Sequence, residues 1–202
     1  MKLLFLLLFG ITPLAIAQKN TICSDSASIG RMNQTEKRVR PKNSKTDETI
    51  KIWNEPYFLI LSPSTKEGYL TLYINQVKRG DSGKIKKVHT QTIALTSIQV
   101  ELIVQRFSNL QISQIPSDCL IEGYNFGWVD CNEVIIEQTL GKRKKLATFS
   151  CPSHQTAPEV KRINEFVAFT EELLEKKSKI TAFRNSLPKG VYSSGMIIIT
   201  KM

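Results

Sequence analysis

The chain has 202 residues, 41% of them hydrophobic, and a formal net charge of +10. This length and composition suit one domain with a proper core, or one domain and a loose arm. After the first seventeen residues no segment is apolar enough to cross a membrane, which excludes a chain anchored by later transmembrane helices.

Residues 1–17 have the pattern of a secretory signal peptide. Lys2 provides a short positive start, residues 3–11 form an apolar run, and small residues occupy the expected cleavage site at 15–17. The run is too short to span a bilayer core of about 30 Å. We therefore expect cleavage before Gln18 and a secreted or periplasmic protein, with an uncleaved membrane anchor as the alternative interpretation.

Residues 18–50 are polar and basic, with few apolar side chains. Such a segment buries too little apolar surface to offset the entropy that is lost when it becomes ordered. We predict an arm or long loop here, tethered at Cys23, followed by a single folded domain over residues 51–202.

Three strands are predicted in the first half of this domain. Residues 57–61 form a compact apolar run next to prolines, residues 69–77 alternate between two faces, and residues 86–95 follow a turn with two glycines. Because short connections favour antiparallel neighbours, a β-meander is expected.

Two helices are predicted from capping signals and apolar spacing. One begins after Thr96, which starts a capping box, and the other extends over about 157–178. A second capping box, formed by Thr156 and Glu159, is expected to begin the longer helix. The chain is expected to close with a buried strand at 196–199.

The stretch from Cys131 to Cys151 is predicted to be a β-hairpin that turns at Gly141. A register that places the two cysteines opposite each other also pairs three further sets of residues: Glu137 with Lys145, Ile136 with Leu146, and Val134 with Thr148. Opposed cysteines lie within disulfide reach. Closing a loop of about 20 residues in this way stabilises the fold by roughly 3 kcal/mol.

An even number of cysteines in an exported protein predicts two disulfides. With Cys131 bonded to Cys151, the second disulfide joins Cys23 to Cys119 and ties the arm to the domain. The rival pairing joins Cys119 to Cys131. A redox role is not expected, because the sequence contains no CxxC motif.

Two surface features are candidates for binding. The hairpin tip is a basic cluster suited to phosphate, sulfate or an acidic glycan, and it consists of Lys142, Arg143, Lys144 and Lys145. A loop with three aromatic residues would form a platform for a sugar or a peptide, and these residues are Tyr124, Phe126 and Trp128. The structural alternatives are a solvated turn that guards the hairpin edge and a loop anchored in the core.

A second basic turn lies at residues 78–87 and contains Lys78, Arg79, Lys84, Lys86 and Lys87. The sequence leaves open whether the two basic turns form one patch. A single patch would favour an anionic partner.

No catalytic, metal-binding or cofactor motif is found, so no catalytic residue, metal ligand or cofactor is assigned. If the protein is an enzyme, one candidate is His154, in the loop before the last helix. The other is a pair of carboxylates drawn from Glu122, Asp130, Glu133 and Glu137. Either site needs a cleft and a perturbed pKa.

Together these elements predict an α+β domain: a mainly antiparallel sheet of five to six strands, two helices packed on one face, and two disulfides. A hairpin that ends in Phe149, Cys151 and Pro152, followed by a helix with a long apolar face, resembles small secreted proteins of unknown function from Bacteroidota. The resemblance covers roughly residues 118–178 and implies no activity.

The sequence therefore favours an exported, non-catalytic binding or interaction module whose ligand is not identified. Its partner is expected to be an anionic surface or another extracytoplasmic protein. Two alternatives remain. One is a basic module that binds anionic glycan, lipopolysaccharide or nucleic acid, with an affinity that falls steeply with salt. The other is a hydrolase with a carboxylate or His154 site.

Overall fold

A computed structural model describes residues 26–41, 46–78, 81–128, 131–194 and 197–201. The predicted signal peptide and Cys23 lie outside these residues. The fold is α+β with an antiparallel sheet, as predicted, but the described residues form eight strands and four α-helices. No helix within the described ranges is both long and apolar enough to cross a membrane.

The helices are α1 (Ser26–Val39), α2 (Ser97–Asn109), α3 (Pro158–Leu173) and α4 (Lys176–Ser186). The strands are β1 (Glu48–Asn54), β2 (Tyr57–Ser62), β3 (Glu67–Lys78), β4 (Asp81–Ala94), β5 (Glu133–Leu140), β6 (Arg143–Ser150), β7 (Gly190–Ser194) and β8 (Ile197–Lys201). Short 3₁₀ turns occur at Ile112–Gln114, Asp118–Leu120 and Pro152–His154.

The strands are ordered β6-β5-β1-β2-β3 across the sheet, and β3 pairs with two further strands, β4 and β7. Strand β4 pairs with one edge of β3. Strand β2 pairs with the first half of the other edge, and the β7–β8 hairpin continues beyond it. The first half of the domain is thus the predicted meander, with β1 and the β5–β6 hairpin added beside β2.

The two ends of the sheet are distinguished by the β5–β6 hairpin. Glu48 of β1 lies opposite Leu140, next to the β5–β6 turn, and Asn54 lies opposite Val134 at the other end of the strand. We call the end with the β5–β6 turn the tip end. We call the opposite end, where Cys131 and Cys151 lie, the cysteine end.

The larger core lies between one face of the sheet and helices α2, α3 and α4. Alternate residues of β1, β2 and β3 point into it, among them Ile52, Leu59 and Leu72. Phe107 of α2 and Phe166 of α3 meet edge to face above the sheet, with ring centroids 5.5 Å apart. This face is the one that the alternating pattern of residues 69–77 predicted.

Helix α1 covers part of the other face, which corrects two predictions. Residues 26–39 are helical rather than a loose arm, and the helices lie on both faces rather than one. The buried apolar residues of α1 are Met32 and Val39, which pack against a smaller core formed by Trp53, Phe58, Tyr73 and Ile135. An ion pair adds to this attachment, because Lys51 contacts Glu36 at 2.8 Å.

The helix boundaries agree with the sequence at Thr96 and disagree later. The Gln99 N–H donates to Thr96 Oγ1 at 3.2 Å, and the Thr96 N–H donates to Gln99 Oε1 at 3.0 Å, so the capping box is formed. The second capping box is wrong, because Ala157 is the N-cap of α3 and has no side-chain cap bond.

The longer helix is interrupted, and the last strand has an additional partner strand. The helix predicted over 157–178 ends at Leu173, and the chain turns at Glu175, whose φ is 50°, before α4 begins. The last strand is β8, which pairs with the additional strand β7 as a hairpin.

Candidate functional site

The Cys131–Cys151 disulfide predicted from the hairpin is present, with Cα atoms 5.1 Å apart. The hairpin register is one residue away from the predicted one, because Lys145 lies opposite Gln138 rather than Glu137. The cysteines lie just beyond the ladder. A one-residue shift moves the side chains of one strand to the other face, so Phe149 fills the larger core where Thr148 was expected.

Cys119 also takes part in a disulfide. Its predicted partner, Cys23, lies outside the described residues. The rival pairing of Cys119 with Cys131 is wrong, because Cys131 is bonded to Cys151.

The aromatic loop is anchored at the cysteine end by Tyr124. Its ring is buried, and its hydroxyl donates to the Ser150 carbonyl at 2.6 Å. Burial, together with the nearby Asp118 and Glu133 carboxylates, raises the pKa of the Tyr124 phenol, so it remains a neutral donor. Tyr124 therefore has the anchoring role rather than a contact role.

Gln155 fixes the next part of the loop from the opposite side. Its Nε2 donates to the Asn125 carbonyl at 2.7 Å, and its Oε1 accepts from the Asn125 N–H at 3.0 Å. The Gly127 N–H donates to Asn125 Oδ1 at 2.8 Å. Because Gln155 is buried, its two bonds to Asn125 are partly shielded from water. Together with the Gly127 bond they hold the backbone of 125–127 in place.

The other two aromatic residues of the loop remain in solvent. Phe126 is 58% exposed and Trp128 is 46% exposed. The Trp128 ring stacks on His154, with centroids 4.5 Å apart and planes 19° apart, and Phe126 lies 5.0 Å from the Tyr124 ring. We call Phe126, Trp128 and His154 the aromatic shelf.

Two side chains that the sequence reasoning missed join this loop to the edge of the sheet. Asp118 is buried, and its Oδ2 accepts from the Ser150 N–H at 3.0 Å, while Ser117 Oγ accepts from the Thr148 N–H at 3.3 Å. They satisfy backbone donors on the outer edge of β6. A Ser-Asp dipeptide in a loop is a known signal for such side-chain-to-backbone bonds, but it does not predict which strand donates them.

The four residues of the predicted basic tip make different contacts in the structure. Lys145 Nζ donates to the carbonyls of Ser113 and Ile115, and burial lowers its pKa. Lys144 Nζ contacts Glu137 Oε2 at 2.6 Å. Only Lys142 and Arg143 are exposed without a partner in the described part of the chain, so the tip alone offers two cations rather than four.

The second basic turn lies at the other end of the sheet. Strand β3 begins at the tip end, where Glu67 lies opposite Ser62, and it ends at Lys78 beside the β3–β4 turn. Eleven residue steps of about 3.4 Å separate those ends. The two basic turns therefore do not form one patch among the described residues; Arg79 lies outside them.

Glu133 and Glu137, two of the candidate catalytic carboxylates, do not form an acid pair. Glu137 is buried and lies between Lys144 and Lys51, the latter at 3.7 Å. Glu133 contacts Arg31 at 3.4 Å and lies about 13 Å along β5 from Glu137. Glu122 is exposed, and Asp130 lies outside the described residues. The His154 ring is stacked on Trp128.

Another polar cluster lies where β1 and β2 meet the α3–α4 junction. Lys176 Nζ contacts Glu171 and lies 4.7 Å from the Tyr57 ring centroid, and Asn54 Nδ2 donates to Glu171 Oε1 at 3.4 Å. The opposite charges neutralise each other against the core. We interpret this cluster as structural.

A small hollow opens between the start of the 112–114 turn and the β5–β6 hairpin, lined in part by Phe107, Gln138 and Lys145. Its volume is about 10 Å³, which is room for roughly one water molecule and far below the ligand pockets of about 300–1,000 Å³ that are usual for small molecules. Within the described ranges, no three His, Cys, Asp or Glu side chains lie close enough to hold a metal ion.

The chain matches no protein-family model, and it is not significantly similar to any curated protein.

Proposed function

We propose that the protein is an exported, non-catalytic binding module and that the aromatic shelf is its ligand-contact surface. The observation that carries this proposal is the exposure of Trp128 and Phe126 on a loop fixed by a disulfide, a buried tyrosine and a buried glutamine. A preorganised aromatic surface loses little entropy when a ligand is bound.

The ligand class that fits best is a carbohydrate. One face of Trp128 is covered by His154, and the exposed remainder offers a flat, electron-rich surface to the polarised C–H groups of a sugar ring. Glu122 and the Asn125 amide provide polar neighbours, and no lysine or arginine occurs between 117 and 128. A neutral sugar suits this surface better than an anionic ligand.

Export is supported by the disulfide and by the position of α1. Arg31 contacts Glu133, whose partner across the hairpin, Ser150, is bonded to Asp118. Helix α1 and Asp118, the residue before Cys119, therefore contact the same end of the hairpin, and only two residues separate Ser26 from Cys23. We propose that Cys23 and Cys119 form the second disulfide of an oxidised, extracytoplasmic protein. The resemblance to secreted proteins of Bacteroidota stays a prediction.

Calorimetric titration with neutral oligosaccharides of cellulose, chitin and xylan tests the shelf. We expect at least one of them to bind and Trp128→Ala to weaken that binding about tenfold or more, which is ~1.4 kcal/mol. Leu140→Ala is the control, because Leu140 is an exposed apolar residue, 58% against 46% for Trp128, but lies at the tip end.

Equal affinities for the wild type and Trp128→Ala would overturn the assignment of the shelf. A titration in which extended peptides bind and the oligosaccharides do not would keep the shelf but replace carbohydrate with peptide as the ligand class. The buried Trp53, which donates to Tyr73 at 2.8 Å, serves as an internal fluorescence reference for folding in every variant.

A further inference from the structure

The tip end of the sheet combines an exposed apolar side chain with exposed cations. Leu140 is 58% exposed and lies directly opposite Arg143 on the same face of the hairpin. Lys142 is exposed in the turn between them. A leucine in this position gains nothing from the core of the protein.

Helix α1 brings further cations to the same end. Arg31 of the helix contacts Glu133, which lies near the cysteine end, and Glu36, further along the helix, contacts Lys51 in β1. The helix therefore runs from the cysteine end toward the tip end. Its last turn and the residue after it expose three cations: Lys37, Arg38 and Arg40. The segment after α1 touches the hairpin, because the Gly141 N–H donates to the Asp47 carbonyl at 2.6 Å.

The ion pairs beneath α1 do not include the three cations at the end of the helix. Glu36, Lys51, Glu137 and Lys144 form a chain of ion pairs whose charges cancel. Asp47 and Glu48 are the acidic residues that remain near the turn. The five cations outside the chain of ion pairs therefore give this end an excess of positive charge: Lys37, Arg38, Arg40, Lys142 and Arg143.

We propose that the tip end is a docking surface for an anionic lipid bilayer. Leu140 enters the boundary between headgroups and acyl chains, while Lys142, Arg143 and the cations of α1 contact lipid phosphates. A hydrophilic polyanion would use the cations but would leave Leu140 in water. Single-stranded nucleic acid also needs exposed aromatic rings for stacking, and the exposed rings of the described residues, Phe126 and Trp128, lie at the cysteine end.

Docking by the tip orients the rest of the molecule. Strand β5 has eight residues, so its ends lie about 25 Å apart. The aromatic shelf, at the far end, is then held away from the bilayer and open to solution. Docking in this way does not depend on which ligand the shelf binds.

Cosedimentation with phospholipid vesicles tests the proposal. We expect the protein to bind vesicles of phosphatidylcholine that contain a quarter of phosphatidylglycerol, to bind pure phosphatidylcholine weakly, and to lose affinity as salt is raised. The double variant Lys142→Ala/Arg143→Ala and the single variant Leu140→Ala should each reduce the vesicle-bound fraction by about half or more at low salt.

Two matched controls remove the same groups elsewhere. Lys84→Ala/Lys86→Ala removes two exposed cations near the β3–β4 turn, and Leu120→Ala removes a leucine that is 59% exposed beside Cys119. Both should bind vesicles as the wild type does. Circular dichroism melting confirms that each variant is folded.

Three results would overturn the proposal: equal losses in the controls, equal binding to neutral vesicles, or a Leu140→Ala variant that binds anionic vesicles as the wild type does. The last result, with heparin binding lost in Lys142→Ala/Arg143→Ala, would assign the tip to a soluble polyanion instead. A fourth contradictory result would be loss of vesicle binding in Trp128→Ala, because it would place the membrane contact at the cysteine end. None of these outcomes changes the interpretation of the oligosaccharide titrations, which test the aromatic shelf separately.

Discussion

The buried tyrosines show how single residues depend on their surroundings. Tyr57 lies beneath Lys176, Tyr73 accepts a hydrogen bond from Trp53, and Tyr124 anchors the loop that carries the shelf. Burial is the largest cause of a raised pKa at all three, and a nearby carboxylate adds to it at each. Their hydroxyls therefore remain protonated where an exposed tyrosine ionises.

An alkaline spectrophotometric titration checks this. At a pH of about 11, above the ordinary tyrosine pKa of about 10, we expect the folded protein to show fewer tyrosinates than the same protein in denaturant. Because these folded-state pKa values are raised, their contribution to stability is complete below a pH of about 10 and is lost as the pH rises above it. Full ionisation of all five tyrosines near pH 10 in the native state would contradict the burial described here.

At the scale of elements, the sequence predicted those with strong local patterns. Strands β2 and β3, helix α2 and its capping box at Thr96 follow from apolar periodicity and local hydrogen bonds. Helix α1 was missed because its order depends on distant partners, with Met32 on the sheet and Glu36 on Lys51. Local composition contains no information about such contacts.

The hairpin register was missed by one residue for a related reason. Two adjacent lysines, Lys144 and Lys145, could each form an ion pair with Glu137. In the structure Lys144 forms this ion pair, and Lys145 donates to backbone carbonyls of a neighbouring turn. The cysteine spacing predicted the disulfide but not the register, because the bond forms beyond the last ladder pair. The loop with Tyr124, Phe126 and Trp128 was predicted as one aromatic platform. Its division into a buried anchor, Tyr124, and two exposed rings depends on the contacts of Ser150 and Gln155, which are distant in sequence.

Two glycines with different backbone conformations give a matched pair of predictions. Gly141 has a φ of 56° at the first position of a two-residue hairpin loop, where a Cβ is strained, so Gly141→Ala should lower the free energy of unfolding by about 1 kcal/mol. Gly30 lies within α1 with open space around it, so Gly30→Ala should raise that free energy by roughly 0.5–1 kcal/mol. Denaturant melts measure both, and destabilisation by Gly30→Ala would mean that 26–39 is not helical.

The disulfides give predictions about which cysteines are bonded and how much the Cys131–Cys151 bond stabilises the fold. Peptide mapping without reduction should recover Cys131 linked to Cys151 and Cys23 linked to Cys119. Replacing Cys131 and Cys151 by serine should lower the free energy of unfolding by roughly 3 kcal/mol, since the bond closes a loop with a sequence separation of 20. A Cys23 peptide recovered as a free thiol would remove the proposed tether of α1.

At the scale of the whole molecule, the two proposed surfaces lie at opposite ends of one sheet. The cysteine end holds a rigid aromatic surface on a loop whose residues 117–128 include no lysine or arginine, and the tip end holds an exposed leucine among cations. The antiparallel ladder from β5 to β1 fixes the distance between them. A binding surface and a docking surface placed in this way suit a module that presents its ligand site away from the surface it rests on.

Ligand contact at the aromatic shelf is tested most directly by NMR mapping. Amide and indole resonances of ¹⁵N-labelled protein are followed as the tightest-binding oligosaccharide is added. We predict shifts confined to residues 122–128 and 153–155 and to the indole of Trp128, with the Trp53 indole unchanged. Shifts centred on Gly141 and the end of α1, or on the hollow lined by Phe107 and Gln138, would contradict a ligand site at the shelf.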